Sequence, residues 1–133
     1  MNTIDRNRKE VAAVKALLSG WAAAFSAMDV ETILRYYSED AVLWGTFSPE
    51  LRATPEAIRD YFSPYFSLKR HGIEIEDLQI QSYGGMAVAS GLYRVSLLRE
   101  DAFEETRARF SFTCLKLENR WKIVNHHSSV VPE

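Results

Sequence analysis

The sequence predicts a single domain of the α+β class, with helices first and an antiparallel sheet after them. Two observations support this class. Apolar residues recur every three or four positions up to about residue 69, and from Gly72 onward they alternate with a period of two, with turn residues between the runs. A third observation is the length: 133 residues fit one domain, residues 1–133, that buries a core without disulfides or metals.

Three helices are predicted in the first half. The first, over residues 5–28, follows from an apolar stripe at helical spacing: Val11, Val14, Leu17, Leu18, Trp21 and Phe25. Asp29 is the expected N-cap of a short second helix, with Tyr37 on its buried side, and a short extended piece over 41–44 follows. Thr54 and Pro55 begin a third helix, which Pro64 is expected to end or kink.

Four strands are predicted in the second half: 72–83, 86–98, 106–117 and 121–130. An irregularity is expected near Asp77, and Gly84-Gly85 is predicted to form a tight hairpin turn. Charged residues over 99–105 are predicted to connect the second strand to the third. Both faces of the strands carry apolar residues, so the sheet is expected to curl around the helices and to dimerise through its outer face.

Composition and motifs exclude several classes of function. Sixteen Lys and Arg against eighteen Asp and Glu, without a basic cluster, predict no nucleic-acid partner. Cys114 is the single cysteine and no zinc-ligand spacing occurs, so no metal is expected. No signal core or long apolar run occurs, which predicts a cytoplasmic protein without a membrane partner. No nucleotide-binding or nucleophile-elbow motif occurs, so no cofactor is expected.

The order of elements, with "EDAVLW" after the second helix and "RWKIVNHHSSVVP" at the end, resembles the nuclear transport factor 2-like superfamily. Within it the chain is most similar to the SnoaL-like group and to the association domain of calcium/calmodulin-dependent protein kinase, from about Val11 to Pro132. The resemblance implies a cone, in which a strongly bent four-stranded sheet with a short extra strand wraps the long helix and leaves a pocket. Enzymes and oligomerisation modules share this fold, so it does not decide function.

The resemblance also bears on individual residues. Association domains line their pocket with arginines, and the matched positions here are Arg94, Phe112 and Ser128. It therefore implies that Arg94 is the pocket cation and that the face carrying Ser128 looks into the pocket. The alternative is a surface arginine, whose stem packs on the sheet while its charged head reaches water.

The two adjacent histidines of the last strand are the candidates in the tail for acid-base chemistry. His126 and His127 point to opposite faces, so they cannot enter one pocket unless a bulge intervenes. Hydrophobicity favours burial of the face with Trp121 and Ile123, whereas the resemblance puts the Ser128 face inside. Both arguments are satisfied if the face with Trp121 and Ile123 is buried in a dimer interface and His126 points into the cone. A pocket histidine is suited to proton transfer, and the alternative is a structural histidine.

Two functions stay open for the pocket. One is a homo-oligomeric association-type module that binds a small organic ligand, which can be anionic. The other is a SnoaL-like enzyme that isomerises, cyclises or dehydrates its substrate by acid-base chemistry; kinase activity is not expected. Asp40 is a candidate carboxylate for that chemistry beside His126, or else a turn residue. Four aromatic residues are candidate pocket walls, or else plain core: Trp21, Tyr37, Trp44 and Tyr61.

Overall fold

The computed structural model describes residues 2–68 and 70–133, and the predicted α+β class is confirmed. Three helices and six strands occur in this part of the chain. They are α1 (Thr3–Ser26), α2 (Val30–Arg35), β1 (Tyr37–Trp44), β2 (Leu51–Arg52), α3 (Pro55–Phe66), β3 (Arg70–Ser82), β4 (Met86–Arg99), β5 (Ala102–Leu117) and β6 (Arg120–Val130). The extended piece predicted over 41–44 is thus longer, and it includes Tyr37, which lies in β1 rather than beside the second helix.

The helix starts follow local capping rules. The Asp29 side chain accepts a hydrogen bond from the Thr32 backbone N–H at 3.0 Å, as expected for the N-cap of α2. Thr54 caps α3 in the same way, and Pro55 occupies its first turn. Of the two alternatives expected for Pro64, ending α3 is excluded, because the helix continues to Phe66. Pro64 is exposed near the last turn, where an unpaired helix carbonyl can meet water.

The sheet has the strand order β2-β1-β6-β5-β4-β3, and β3 to β6 form the predicted antiparallel meander. Two features were not predicted: β1 pairs in parallel with β6, and the short β2 pairs with β1. The connection between β4 and β5, predicted over 99–105, is shorter in the structure. Strand β5 already begins at Ala102, and only Glu100 and Asp101, at φ 46° and 69°, form the turn.

A bulge in β3 and a glycine turn after it both occur where the sequence predicted them. The register with β4 shifts between Glu76 and Gln79, where Asp77 has φ 52°. Gly91 on β4 lies under this bulge, and a Cβ there would come within 2.8 Å of the Glu76 carbonyl oxygen. Gly84 and Gly85 form the hairpin turn at φ 64° and 87°, a conformation that favours glycine.

Helix α1 packs on the inner face of the sheet and contacts β3, β4 and β6. Trp21 lies at the centre of this contact and is 1% exposed. The inner face of the sheet is aromatic at this point: Phe112 packs edge-on against Trp21, with ring centres 5.2 Å apart. Within the described ranges, no helix is both long and apolar enough to cross a membrane.

Candidate functional site

A bulge in β6 decides which tail residues face inward. Thr113 pairs with Asn125 and Cys114 with Ile123, so Val124 has no partner on β5. Because of this extra residue, Ile123 points to the same side as His126, and the two are 0% and 2% exposed. The prediction that Ile123 lies on the outer face is therefore wrong, whereas Asn125 and His127, which were predicted on the same face, are exposed. Trp121 also packs against the core, and it is partly buried there.

His126 lies at the floor of a narrow aromatic pocket between the sheet and α1 and α3. The pocket is lined by Trp21, Phe25, Thr46, Phe47, Tyr61, Phe62, Tyr65, Ile73, Tyr93, Val95 and His126. None of these described lining residues is an Asp, Glu, Lys or Arg. The cleft has about 320 Å³ of space between atoms, including the part open to solvent. Its interior is narrow, however, with room for about one water molecule.

A chain of hydrogen bonds runs through the floor of the pocket. The Trp21 Nε1–H donates to the Tyr37 hydroxyl oxygen at 3.0 Å. That hydroxyl lies 2.9 Å from His126 Nδ1, and the Tyr93 hydroxyl lies 3.2 Å from His126 Nε2. The imidazole also stacks on Phe112, with ring centres 4.0 Å apart. Both ring nitrogens are therefore paired, and the ring cannot rotate without breaking these contacts.

Burial keeps these groups neutral. It lowers the pKa of His126 to about 3, with a further contribution from the neighbouring His127. Burial also raises the pKa of Tyr37 and of Tyr93; for Tyr93, the neighbouring Ser128 and Thr46 hydroxyls act in the opposite direction. At neutral pH the floor of the pocket is thus polar but uncharged.

The mouth of the pocket is formed by the loop between β1 and β2. Ser128 Oγ accepts hydrogen bonds from the Thr46 backbone N–H and hydroxyl, at 3.2 and 2.7 Å, and so fixes the loop to β6. Gly45 lies against Tyr61 of α3, where a Cβ would come within 2.2 Å of the ring. Phe47 is 41% exposed and covers the pocket beside Tyr65, with ring centres 5.6 Å apart.

The structure brings together only part of the predicted site. Trp21, Tyr61 and His126 line the pocket, and Ser128 is buried at its mouth. Tyr37 is not a wall, because it lies behind His126 and contacts it from the core side.

Two further candidates lie outside this pocket. The Trp44 side chain is 44% exposed on the outer face, where Trp44 pairs with His127. Asp40 is exposed on β1, where it accepts a hydrogen bond from Ser38 Oγ at 2.8 Å. The expectation of a carboxylate beside His126 is therefore wrong for Asp40.

Arg94 does not face the cavity that contains His126, so the expected pairing of these two residues is wrong. Tyr93 of β4 points inward, and side chains alternate along a strand, so Arg94 points outward. There its guanidinium contacts Glu76 at 2.7 Å and Glu74 at 3.2 Å, and these carboxylates, Glu76 first, raise its pKa.

Sequence reasoning missed Tyr93, Tyr65, Thr46 and Phe47 as members of the site. For Tyr93 the signal was available, because it lies between Gly91 and Val95 on the inward positions of β4. For the loop residues no local pattern marks the contact with α3. In the described part of the chain, no three His, Cys, Asp or Glu side chains come close enough to hold a metal ion.

Known proteins share this architecture. The family model of the SnoaL-like domain matches residues 14–133. A crystal structure from Xanthomonas campestris, provisionally named a calcium/calmodulin dependent protein kinase II association domain, is 32% identical and has a TM-score of 0.83. The match covers 90% of this chain and 86% of that one.

Two more distant structures show the same fold. A provisionally named scytalone dehydratase from Novosphingobium aromaticivorans has a TM-score of 0.88 at 12% identity, with 98% of this chain and 89% of that chain covered. A provisionally named dehydratase of the NTF2-like family from Streptomyces avermitilis has a TM-score of 0.86 at 11% identity, with 96% and 99% covered. No curated protein sequence matches this chain.

Proposed function

The chain belongs to the SnoaL-like domain family, and we propose that it is a self-associating module whose pocket binds a small, uncharged, largely apolar molecule. One observation carries the proposal: the described lining of the pocket is aromatic and aliphatic, and a neutral His126 forms its floor. Pockets of this kind, apolar with a few placed polar groups, are typical of small-molecule sites.

The electrostatics of the pocket oppose a charged ligand. An anion buried there would lose its hydration without meeting a cation, because Arg94 points to the outer face and is paired with Glu74 and Glu76. A cation would likewise lack a carboxylate. An anionic ligand would have fitted a pocket that contained Arg94; without Arg94 in the pocket, we propose a neutral ligand.

A ligand larger than water must displace side chains at the mouth. Phe47 is the natural one to move, because it is the most exposed of the aromatic residues at the mouth and lies on the loop between β1 and β2. The floor, in contrast, is fixed by hydrogen bonds on both ring nitrogens of His126. We therefore expect binding to open the loop and to leave the floor in place.

Self-association is assigned to the outer face of the sheet. Its central strands carry a mixture of apolar and polar side chains, among them the half-buried Val88, Leu92 and Leu115. The relative from Xanthomonas campestris is named for an association domain, which supports the same assignment. A stable contact should bury roughly 800 Å² per partner. Sedimentation at micromolar concentration should give a dimer or larger species for the wild type and a monomer for Leu92→Arg; a monomeric wild type would exclude association.

Acid-base catalysis is the second candidate, and one observation favours it: the hydrogen bonds join His126 to two phenols, which are groups able to pass a proton. Against it, a histidine with a pKa of about 3 is a weak base at neutral pH, and the described pocket lining has no carboxylate. An enzyme would turn over a carbonyl or hydroxyl compound, and His126→Gln would reduce that turnover by roughly 100-fold or more.

Ligand binding is tested with small aromatic probes, observed by protein NMR. In the wild type, probe-induced shifts should fall on Trp21, Tyr93 and Val95. Val95→Phe adds a ring to the pocket wall and should abolish these shifts, whereas Val130→Phe, the same change at an exposed position, should not. A wild type that binds none of the probes, or binds them elsewhere, would refute the proposed pocket.

A further inference from the structure

The hydrogen bonds in the pocket floor have a direction, and it starts at Trp21. An indole N–H can only donate, so the Tyr37 oxygen accepts at this 3.0 Å contact and keeps its own proton for another partner. Within the described chain, the acceptor placed for that proton is His126 Nδ1, at 2.9 Å. Tyr37 is buried, and a buried hydroxyl without a partner is costly. Tyr37 therefore donates to His126.

The direction continues through the imidazole. A neutral histidine has one N–H, so a ring that accepts at Nδ1 carries its proton on Nε2. The Nε2–H then donates to the Tyr93 oxygen at 3.2 Å. Ser128 Oγ accepts both hydrogen bonds from Thr46, so its own O–H is free to donate, and this hydroxyl lies close enough to Tyr93 to act as a donor to it. Tyr93 is thus an acceptor on the protein side, and its own O–H remains for the pocket that it lines.

We infer that the pocket selects aromatic compounds that carry a carbonyl oxygen as hydrogen-bond acceptor for the Tyr93 O–H, and that Tyr37 sets this preference from behind His126 without contacting the ligand. This inference rests on the proposed function, since it names the class of molecule that the same pocket takes. Aromatic walls from Trp21, Tyr61 and Tyr65 fit a flat ring. A ligand whose only polar group is a donor would face another donor at the floor.

The direction of these hydrogen bonds can be measured without any ligand. Nitrogen-15 NMR of the histidine rings in wild-type protein distinguishes a protonated from a bare ring nitrogen. The expected result for His126 is Nε2–H with a bare Nδ1 at neutral pH. Tyr37→Phe removes the donor to Nδ1, so the proton should move at least in part to that nitrogen. A wild-type ring with Nδ1–H would overturn the inference.

The ligand class is tested with two probes of the same shape, acetophenone and α-methylstyrene, which differ in an oxygen against a methylene group. For each protein, the ratio of their dissociation constants is measured by NMR titration. Relative to wild type, Tyr93→Phe should reduce the preference for the ketone by about 3- to 10-fold, as expected for one net hydrogen bond. Tyr37→Phe should reduce it similarly, because an Nδ1–H ring would accept the Tyr93 proton and withdraw it from the pocket.

The controls separate this inference from the function on which it rests. Tyr83→Phe makes the same change on an exposed hairpin tyrosine and should leave the ratio unchanged. Binding of α-methylstyrene to Tyr37→Phe shows whether the pocket is intact, because a general loss of structure would weaken both probes alike and leave their ratio unchanged. If both probes bind with a ratio that neither variant changes, the inference is wrong and the pocket stands. If neither probe binds the wild type, the proposed function itself fails.

Discussion

Lowering the pH from 7 to 5 should reduce the free energy of unfolding by about 2 kcal/mol through His126 alone. In the folded protein burial holds the pKa of His126 at about 3, whereas an unfolded histidine has a pKa near 6.5. Between these values the unfolded state binds a proton that the folded state does not. Each pH unit below 6.5 therefore costs about 1.4 kcal/mol, and pH 5 lies about 1.5 units below. The loss continues down to about pH 3, where the folded state binds the proton as well.

The assay is urea unfolding at pH 7 and pH 5, on wild type and His126→Gln. Glutamine is polar but does not titrate, so the variant should lose about 2 kcal/mol less than wild type between the two pH values. The other titrating groups are present in both proteins, and their effects cancel in the difference. NMR titration of the wild-type imidazole is an independent check. Equal losses in the two proteins, or a His126 midpoint near 6.5, would refute the assigned burial and hydrogen bonds.

Three further outcomes follow from other contacts. Glu10→Gln should lower the free energy of unfolding in urea by about 1–2 kcal/mol, because the Glu10 carboxylate accepts hydrogen bonds from Ser82 and from the Gly85 N–H, the latter at 2.8 Å. These hydrogen bonds lower the pKa of Glu10, so the stability that the carboxylate contributes is lost as the pH falls below 4.5. Gly45→Ala should cost roughly 1–3 kcal/mol by pushing a Cβ into Tyr61, whereas Gly72→Ala, with its nearest neighbour at 4.0 Å, should cost less. Arg94→Ala should leave aromatic-probe affinity within twofold of wild type by NMR titration, and a larger loss would return Arg94 to the pocket.

Local signals predicted the elements that depend on local chemistry. The caps at Asp29 and Thr54, the glycine turn at Gly84 and the irregularity at Asp77 all follow from interactions within a few residues of the chain. The parallel pairing of β1 with β6 was not predictable in this way. It joins residues about 80 positions apart, such as Leu43 and His126, and neither strand carries a pattern that names its partner.

Arg94 illustrates how a matched position can mislead. The resemblance assigned it to the pocket, but the charges of the neighbouring strands indicate the other face. Glu74 and Glu76 on β3 and Glu105 on β5 all lie on the outer face beside it. A guanidinium placed inward would have left Glu74 and Glu105 without this cation, although Glu76 would have kept Arg107 at 3.6 Å. Once the strands are aligned, charge pairing is therefore the stronger guide to its direction.

The site itself depends on one unpaired residue. Strict alternation along β6 would put Ile123 and His126 on opposite faces, and one of the two would then be exposed. The bulge at Val124 lets the strand bury Ile123 in the core and still direct His126 and Ser128 to the pocket. Under strict alternation, burial of Trp121 and burial of Ser128 require different faces, and a dimer interface was the predicted way to bury both. The bulge resolves it within one chain, so the structural case for self-association no longer includes Ile123 and rests on the outer residues of β4 and β5.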